Sequence, residues 1–180
     1  TLFSISNVLI QASINSFGDI VVAGNSAASN LEGFVYVSMN SFYQATITFT
    51  SQNLGAKKID RINKILISGL ISVTITGLLL GNAVYFFGQE LLRIYSSNDS
   101  VIAEGMVRIL IVCCPYFLCG LMEIMVGSLR GLGYSVMPMI VSLVGACGLR
   151  ILWIFTLFQF AEFHTPVMLY ITYPVSWMVT

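Results

Sequence analysis

The sequence predicts an all-α polytopic membrane protein, and three observations carry that prediction. Of 180 residues, 57% are apolar and only 9% charged, against roughly 25% charged in a water-soluble domain. Apolar stretches near or above ~18 residues recur between short polar joints, the pattern of membrane helices. Two of those stretches carry polar residues at steps of three and four, which places each row on one helix face. The mean hydropathy of +0.88 agrees. No basic leader with a short apolar core and a cleavage site opens the chain. It begins without Met inside an apolar stretch and stops inside another, so a piece of a larger membrane protein is expected.

Six spans can be drawn, at 1–17, 20–52, 63–87, 101–129, 136–160 and 167–180, forming a single membrane lobe. The first is shorter than the ~20 residues a crossing needs. It shows Asn7, Gln11 and Asn15 at four-residue steps. Gly18-Asp19 reads as a tight corner, with Asp19 placed to cap the next helix. The second span aligns Asn25, Ser29, Glu32 with Gly33, Tyr36, Asn40 and Gln44 on one face. A lipid-facing helix has no use for such a row, whereas a helix lining a wet cavity does. At ~1.5 Å per residue this span is ~50 Å long, beyond the ~30 Å hydrocarbon core, so it tilts or projects.

Small residues in the third span, among them Ser68, Gly69, Ser72, Gly77 and Gly81, let helices approach closely in lipid. The joint at 88–100 has its own amphipathic turn, suited to the membrane interface. In the fourth span Pro115 predicts a kink, and Glu104, Arg108 and Glu123 add charge. The fifth holds Pro138 and, well inside, Arg150. The joint after it contains the only histidine, His164, expected to be an exposed loop residue. Lys57, Lys58, Arg61 and Lys64 crowd one joint, and Arg130 stands in the joint two spans later. By the positive-inside bias the joints at 53–62 and 130–135 are cytoplasmic, and so are both ends of the chain.

Charges within the membrane are costly and mark either a buried pair or a function. Counting at ~1.5 Å per residue, Glu32 lies about 18 Å from the external end of its span, Arg150 about 14 Å and Arg108 about 10 Å. Arg108 and Arg150 are therefore the candidate partners for Glu32. Glu123 lies about 10 Å from the cytoplasmic side, without a basic partner at its depth. Each carboxylate has two readings: a structural pair or a snorkelling group, or a site that exchanges a proton or Na⁺. Glu104 and Arg108, at i and i+4, read as a surface pair.

Other chemistry is excluded. Zero net charge and the absence of a basic run interleaved with aromatics give no pull toward nucleic acid. Cys113, Cys114, Cys119 and Cys147 fall in apolar stretches at no zinc spacing, as small buried hydrophobes do. Gly131-Leu132-Gly133 lacks a third glycine and a preceding strand, and reads as a turn. No phosphate loop and no nucleophile–histidine set can be assembled. The expectation is no enzyme, no cofactor and no assigned metal site, with Na⁺ left open.

Three places then resemble the multidrug and toxic compound extrusion (MATE) transporters, specifically their second six-helix half. They are Asn7, Gln11 and Asn15 running into Ser16-Phe17-Gly18; Gln52-Asn53-Leu54-Gly55-Ala56-Lys57-Lys58 with Arg61; and Gly127-Ser128-Leu129-Arg130-Gly131-Leu132-Gly133 with Pro138. The resemblance implies one half of a twelve-helix, two-lobe protein in the cell membrane. Its partners would be the missing N-terminal lobe, the lipid bilayer, a small organic cation and H⁺ or Na⁺. It implies an antiporter exporting drugs by alternating access. Glu123 departs from the family pattern, standing about a turn nearer the Arg-Gly joint than the acidic residue members often carry, whose place here falls near Cys119.

On this reading Asn7, Gln11, Asn15, Asn25, Glu32, Tyr36, Asn40, Gln44 and Glu123 line the cavity. Tyr36, Phe42 and Tyr43 give aromatic contact to a cation. Two alternatives stay open: a lipid-linked precursor flippase of the same superfamily, which calls for a more basic cavity, and a non-transporting membrane structural subunit, which would bury the polar rows in fixed helix contacts.

Overall fold

The computed structural model describes residues 2–160 and 163–180, with side chains from residue 6 onward. Its elements are α1 (Leu2–Asn15), α2 (Asp19–Gly55), α3 (Ile59–Phe86), α4 (Gly88–Arg93), α5 (Asp99–Arg108), α6 (Tyr116–Gly131), α7 (Val136–Ser142), α8 (Leu149–Phe155) and α9 (Pro166–Val179). Two π-helical segments interrupt the longer rods. Ile109–Cys113 follows α5, and Leu143–Gly148 joins α7 to α8. No strand occurs among the described residues. The protein is an all-α polytopic membrane protein.

The α3 rod and the α7–α8 rod, Val136–Gln159, are each long and apolar enough to cross a membrane. The α5–α6 rod qualifies as a bent pair, with 41° between its halves. The bend falls at the expected Pro115, whose ring removes one backbone donor and clashes with the preceding turn. The outer face of α3 is a stripe of exposed Ile67, Ile71, Ile75 and Leu79. Four-residue steps put them on one side, the surface a lipid-facing helix presents.

Local chemistry sets the helix ends. Asp19 does not cap α2: it is the first helical residue, behind Gly18 at φ 93, and no side-chain cap is made. Its carboxylate still faces the positive end of the helix. The basic joint and the Arg-Gly joint close with the same motif. At α6, Tyr134 N–H reaches Leu129 O at 3.0 Å and Gly133 N–H reaches Arg130 O at 3.0 Å, with Gly133 at φ 95. At α2, Lys58 N–H reaches Asn53 O at 2.8 Å and Lys57 N–H reaches Leu54 O at 2.9 Å, with Lys57 itself in the left-handed region at φ 57. These are Schellman caps, one built on the usual glycine and one on a lysine. Thr165 caps α9 by accepting from Met168 N–H, with Pro166 beside it in the first turn.

Helix α2 is the centre of the molecule and packs on α3, α5 and α6. Glycines set those distances. A Cβ on Gly24 would come within 2.7 Å of the Val101 carbonyl and 2.9 Å of Gly105 N, and one on Gly81 would overlap the Cys113 carbonyl. Helix α9 packs on α6, α8 and both π segments. The main core joins Ile10 and Ile14 of α1 to Val35 and Met39 of α2, Val73 of α3, Ile124 of α6 and Leu169 of α9.

Candidate functional site

Between these helices lies a cavity of about 730 Å³, walled by α1, α2, α6, α9, Arg108 at the end of α5, and the α7–α8 rod. The polar row of α2 turns toward it because the opposite face of that helix is taken up by α3 and α5. Six of the nine residues expected at a cavity line it: Asn7, Gln11, Glu32, Tyr36, Asn40 and Glu123. Arg108 and Arg150 stand in the same wall.

An ordered polar chain runs through one side. Arg108 Nη2 donates to Glu32 Oε2 at 2.6 Å, and their side chains are only 6% and 15% exposed. Arg108 Nη1 donates to Asn25 Oδ1. Asn25 Nδ2 donates to Gln11 Oε1 at 3.2 Å, and Gln11 Nε2 to Asn15 Oδ1 at 3.0 Å. Tyr116 O–H reaches the other Glu32 oxygen at 3.5 Å. The chain thus links α1, α2, α5 and α6; its charge-assisted part, Arg108 with Glu32 and Asn25, lies out of water, where such bonds are strong, and the amide bonds to α1 lie nearer the surface.

Two expectations need correction and one is narrowed. Arg108 is not in a surface pair with Glu104; it is buried at 5% exposure and pairs with Glu32. The close approach of Gly24 to Gly105 brings α2 against α5 and puts the guanidinium between them. Of the two candidate partners of Glu32, Arg108 is the one that pairs with it and Arg150 is not. Its Nε donates to Ser176 Oγ at 3.1 Å, and its guanidinium lies 4.3 Å from the Tyr173 ring centre. Asn25, Asn15 and Gln44 do not line the cavity. Asn25 is 2% exposed behind the wall, holding Arg108. Asn15 and Gln44 are exposed away from it. Phe42 likewise faces a groove between α2 and α3, beside Phe49 and Ser68, while Tyr43 does reach the cavity.

The cavity wall also holds residues that were not expected to line it. Tyr173 and Trp177 come from α9, Tyr116 from α6, and Arg130 donates to the Tyr43 hydroxyl while lying 5.8 Å from that ring. A signal for α9 existed, since Tyr170, Tyr173 and Trp177 follow at three and four residues. Glu123 makes no hydrogen bond or ion pair among the described residues; the charge acting on it is that of Arg130, two turns along the same helix. Nor do three His, Cys, Asp or Glu side chains converge on a metal position among those residues. His164 is exposed, as expected of a loop residue, and it also stacks on Phe158 at 4.3 Å.

The family model described as MatE matches residues 1–156. A Bacillus subtilis protein described as "Probable multidrug resistance protein YoeA" is 21% identical over 179 residues, which is 99% of this chain and 38% of that protein. An "FAD transporter" of Shewanella oneidensis is 24% identical over 139 residues, 77% of this chain and 31% of that protein. Among solved structures, the Vibrio cholerae MATE transporter VcmN in the bent form superposes with a TM-score of 0.85 at 22% identity, covering 99% of this chain and 40% of that one. A mutant of the same transporter gives 0.85 at 21% identity over 98% and 40%. These structures share the fold. The chain spans about two fifths or less of the length of each of these proteins.

Proposed function

The chain belongs to the MatE family, and we propose that it forms one six-helix lobe of a secondary active transporter. The lobe would work with a second lobe across the cavity, exporting organic cations or drugs in exchange for H⁺ or Na⁺ by alternating access. It would cross the cell membrane six times, with the joints at 53–62 and 130–135 and both ends of the chain on the cytoplasmic side. The role is transport rather than catalysis.

One observation supports this reading above the others: a cavity of about 730 Å³, lined by carboxylates, amides and aromatic rings, sits inside a chain of membrane composition. A purely structural subunit would close its polar rows into helix contacts, and here most of them face open space. Within the cavity the two carboxylates divide their work. Glu32 is committed to Arg108 and serves as a brace between α2 and α5. Glu123 is uncommitted, so it is the carboxylate that exchanges the coupling ion. Occupancy of Glu123 by a proton or cation weakens substrate binding and shifts the population between outward-open and inward-open forms.

The test is efflux of a fluorescent organic cation from proteoliposomes holding the complete two-lobed protein, under an imposed pH or Na⁺ gradient. Glu123→Gln is expected to keep substrate binding and lose gradient dependence, whereas Glu32→Gln mainly loses thermal stability. Coupling that persists in Glu123→Gln and vanishes in stable Glu32→Gln would reverse the two assignments. Wild type that moves no cation under either gradient would end the export reading.

A further inference from the structure

Among the described residues of this chain, the charges that face the cavity do not balance. Arg108, Arg130 and Arg150 face Glu32 and Glu123. Arg108 is neutralised by Glu32 at 2.6 Å, and Glu123 shares its helix face with Arg130. That leaves Arg150, which is 94% buried by its 6% exposure and has no carboxylate partner among the described residues. Its single hydrogen bond there runs from Nε to Ser176 Oγ. The Ser176 hydroxyl is fixed in turn by donating to Tyr173 O at 2.7 Å. The two Nη groups make no hydrogen bond among the described residues.

Removing a guanidinium from water is expensive unless its donors are met. Here one edge of the fork is held in place by Ser176, and the rest opens on the cavity rather than on a partner among the described residues. The planar donors of arginine match the two oxygens of a carboxylate or phosphate, which a lysine does not. Aromatic surface surrounds it: Tyr173 carries the guanidinium at 4.3 Å, and Trp177 lies edge-on to Tyr116 at 5.1 Å.

We infer that Arg150 is the anion subsite of this cavity, and that the cargo is an aromatic zwitterion, an organic cation that also bears a carboxylate or phosphate group. This rests on the transport reading of the cavity and narrows its substrate class. A purely cationic cargo offers Arg150 no counter-charge. An aromatic zwitterion satisfies both halves of the wall, with its cationic part toward Glu123 and its anionic part on Arg150.

Binding is the direct test, because it needs no gradient. The complete transporter in nanodiscs is titrated with 2-naphthoate, methyl 2-naphthoate and 2-naphthyl phosphate, following naphthalene fluorescence. Wild type is expected to bind at least one of the two anions about tenfold or more tighter than the ester, as hydrogen bonds to a charged group allow. Which anion binds more tightly distinguishes a carboxylate site from a phosphate site. Arg150→Gln is expected to bring the acid-to-ester ratio to about one. Arg150→Lys, which keeps the charge and loses the fork, is expected to retain only part of the preference. Equal binding of acid and ester by wild type overturns the inference, and that comparison needs no variant to fold. A preference that survives in Arg150→Gln also overturns it. Failure of gradient-driven export with the acid preference intact counts against the transport reading alone.

Discussion

Arg108 and Arg150 are buried to nearly the same degree, at 5% and 6% exposure, and are held in opposite ways. Arg108 is enclosed on three sides: Glu32 and Asn25 take its two Nη groups, and the rings of Tyr170 and Tyr173 lie 5.5 Å and 5.4 Å from it. Arg150 has one hydroxyl and one ring, and it shares that ring, Tyr173, with Arg108. Their surroundings differ in the same sense. Around Arg108, glycines press α2 and α3 directly onto the backbone of α5 and the π segment. Around Arg150, the α7–α8 rod turns Met137, Ile140, Val144, Leu152 and Phe155 outward, all exposed. Burial alone therefore does not say what a membrane arginine is for. The partners of its Nη groups do.

That contrast can be broken by substitution. The largest effect belongs to Arg108→Met, which leaves buried Asn25 and largely buried Glu32 without their partner and should cost about 3 kcal/mol of stability. Thermal unfolding in detergent measures it. Adding Glu32→Leu in the same chain should recover most of the loss, since an apolar pair can replace a buried ion pair at little cost. A double variant no more stable than the single one would refute the brace. Gly81→Ala comes next, because its Cβ meets the Cys113 carbonyl rather than a movable side chain; a loss of about 1–3 kcal/mol is expected in the same assay. Arg150→Met should cost about 1 kcal/mol or less, having no buried carboxylate to strand. Gly148→Ala is the smallest, within about 0.5 kcal/mol, since its Cβ would find only Leu143 O at 3.8 Å. If Arg150→Met proved as damaging as Arg108→Met, the two sites would be alike after all.

The helical class, the kink at Pro115 and the polar row of α2 were legible in the sequence, because composition and a three-to-four spacing survive folding almost unchanged. Glu32, Tyr36 and Asn40 reach the cavity for that reason. The partner of Glu32 was legible only as a choice between two arginines. A count of depth along straight spans cannot include the offset between helices, which the contact at Gly24 and Gly105 sets. The same contact hid Asn25, a member of the polar row that ended in the core. The Glu104–Arg108 reading failed because i, i+4 spacing brings two side chains near each other without saying whether a third helix competes for one of them. The contribution of α9 was visible as aromatic spacing, but only packing shows that Tyr173 and Trp177 face the cavity while Tyr170 lies in the core.

The unequal pairing also has an electrical consequence. A bilayer under voltage acts on net charge, at about 2.3 kcal/mol per elementary charge per 100 mV for a full crossing. Glu32 and Arg108, bonded to each other, carry no net charge along the field when they move together. Arg150 carries a whole positive charge, so any displacement of the α7–α8 wall along the membrane normal performs work against the potential in proportion to the fraction of the field traversed. An anion seated on Arg150 would cancel that work, making the loaded wall electrically silent and the empty one voltage-sensitive.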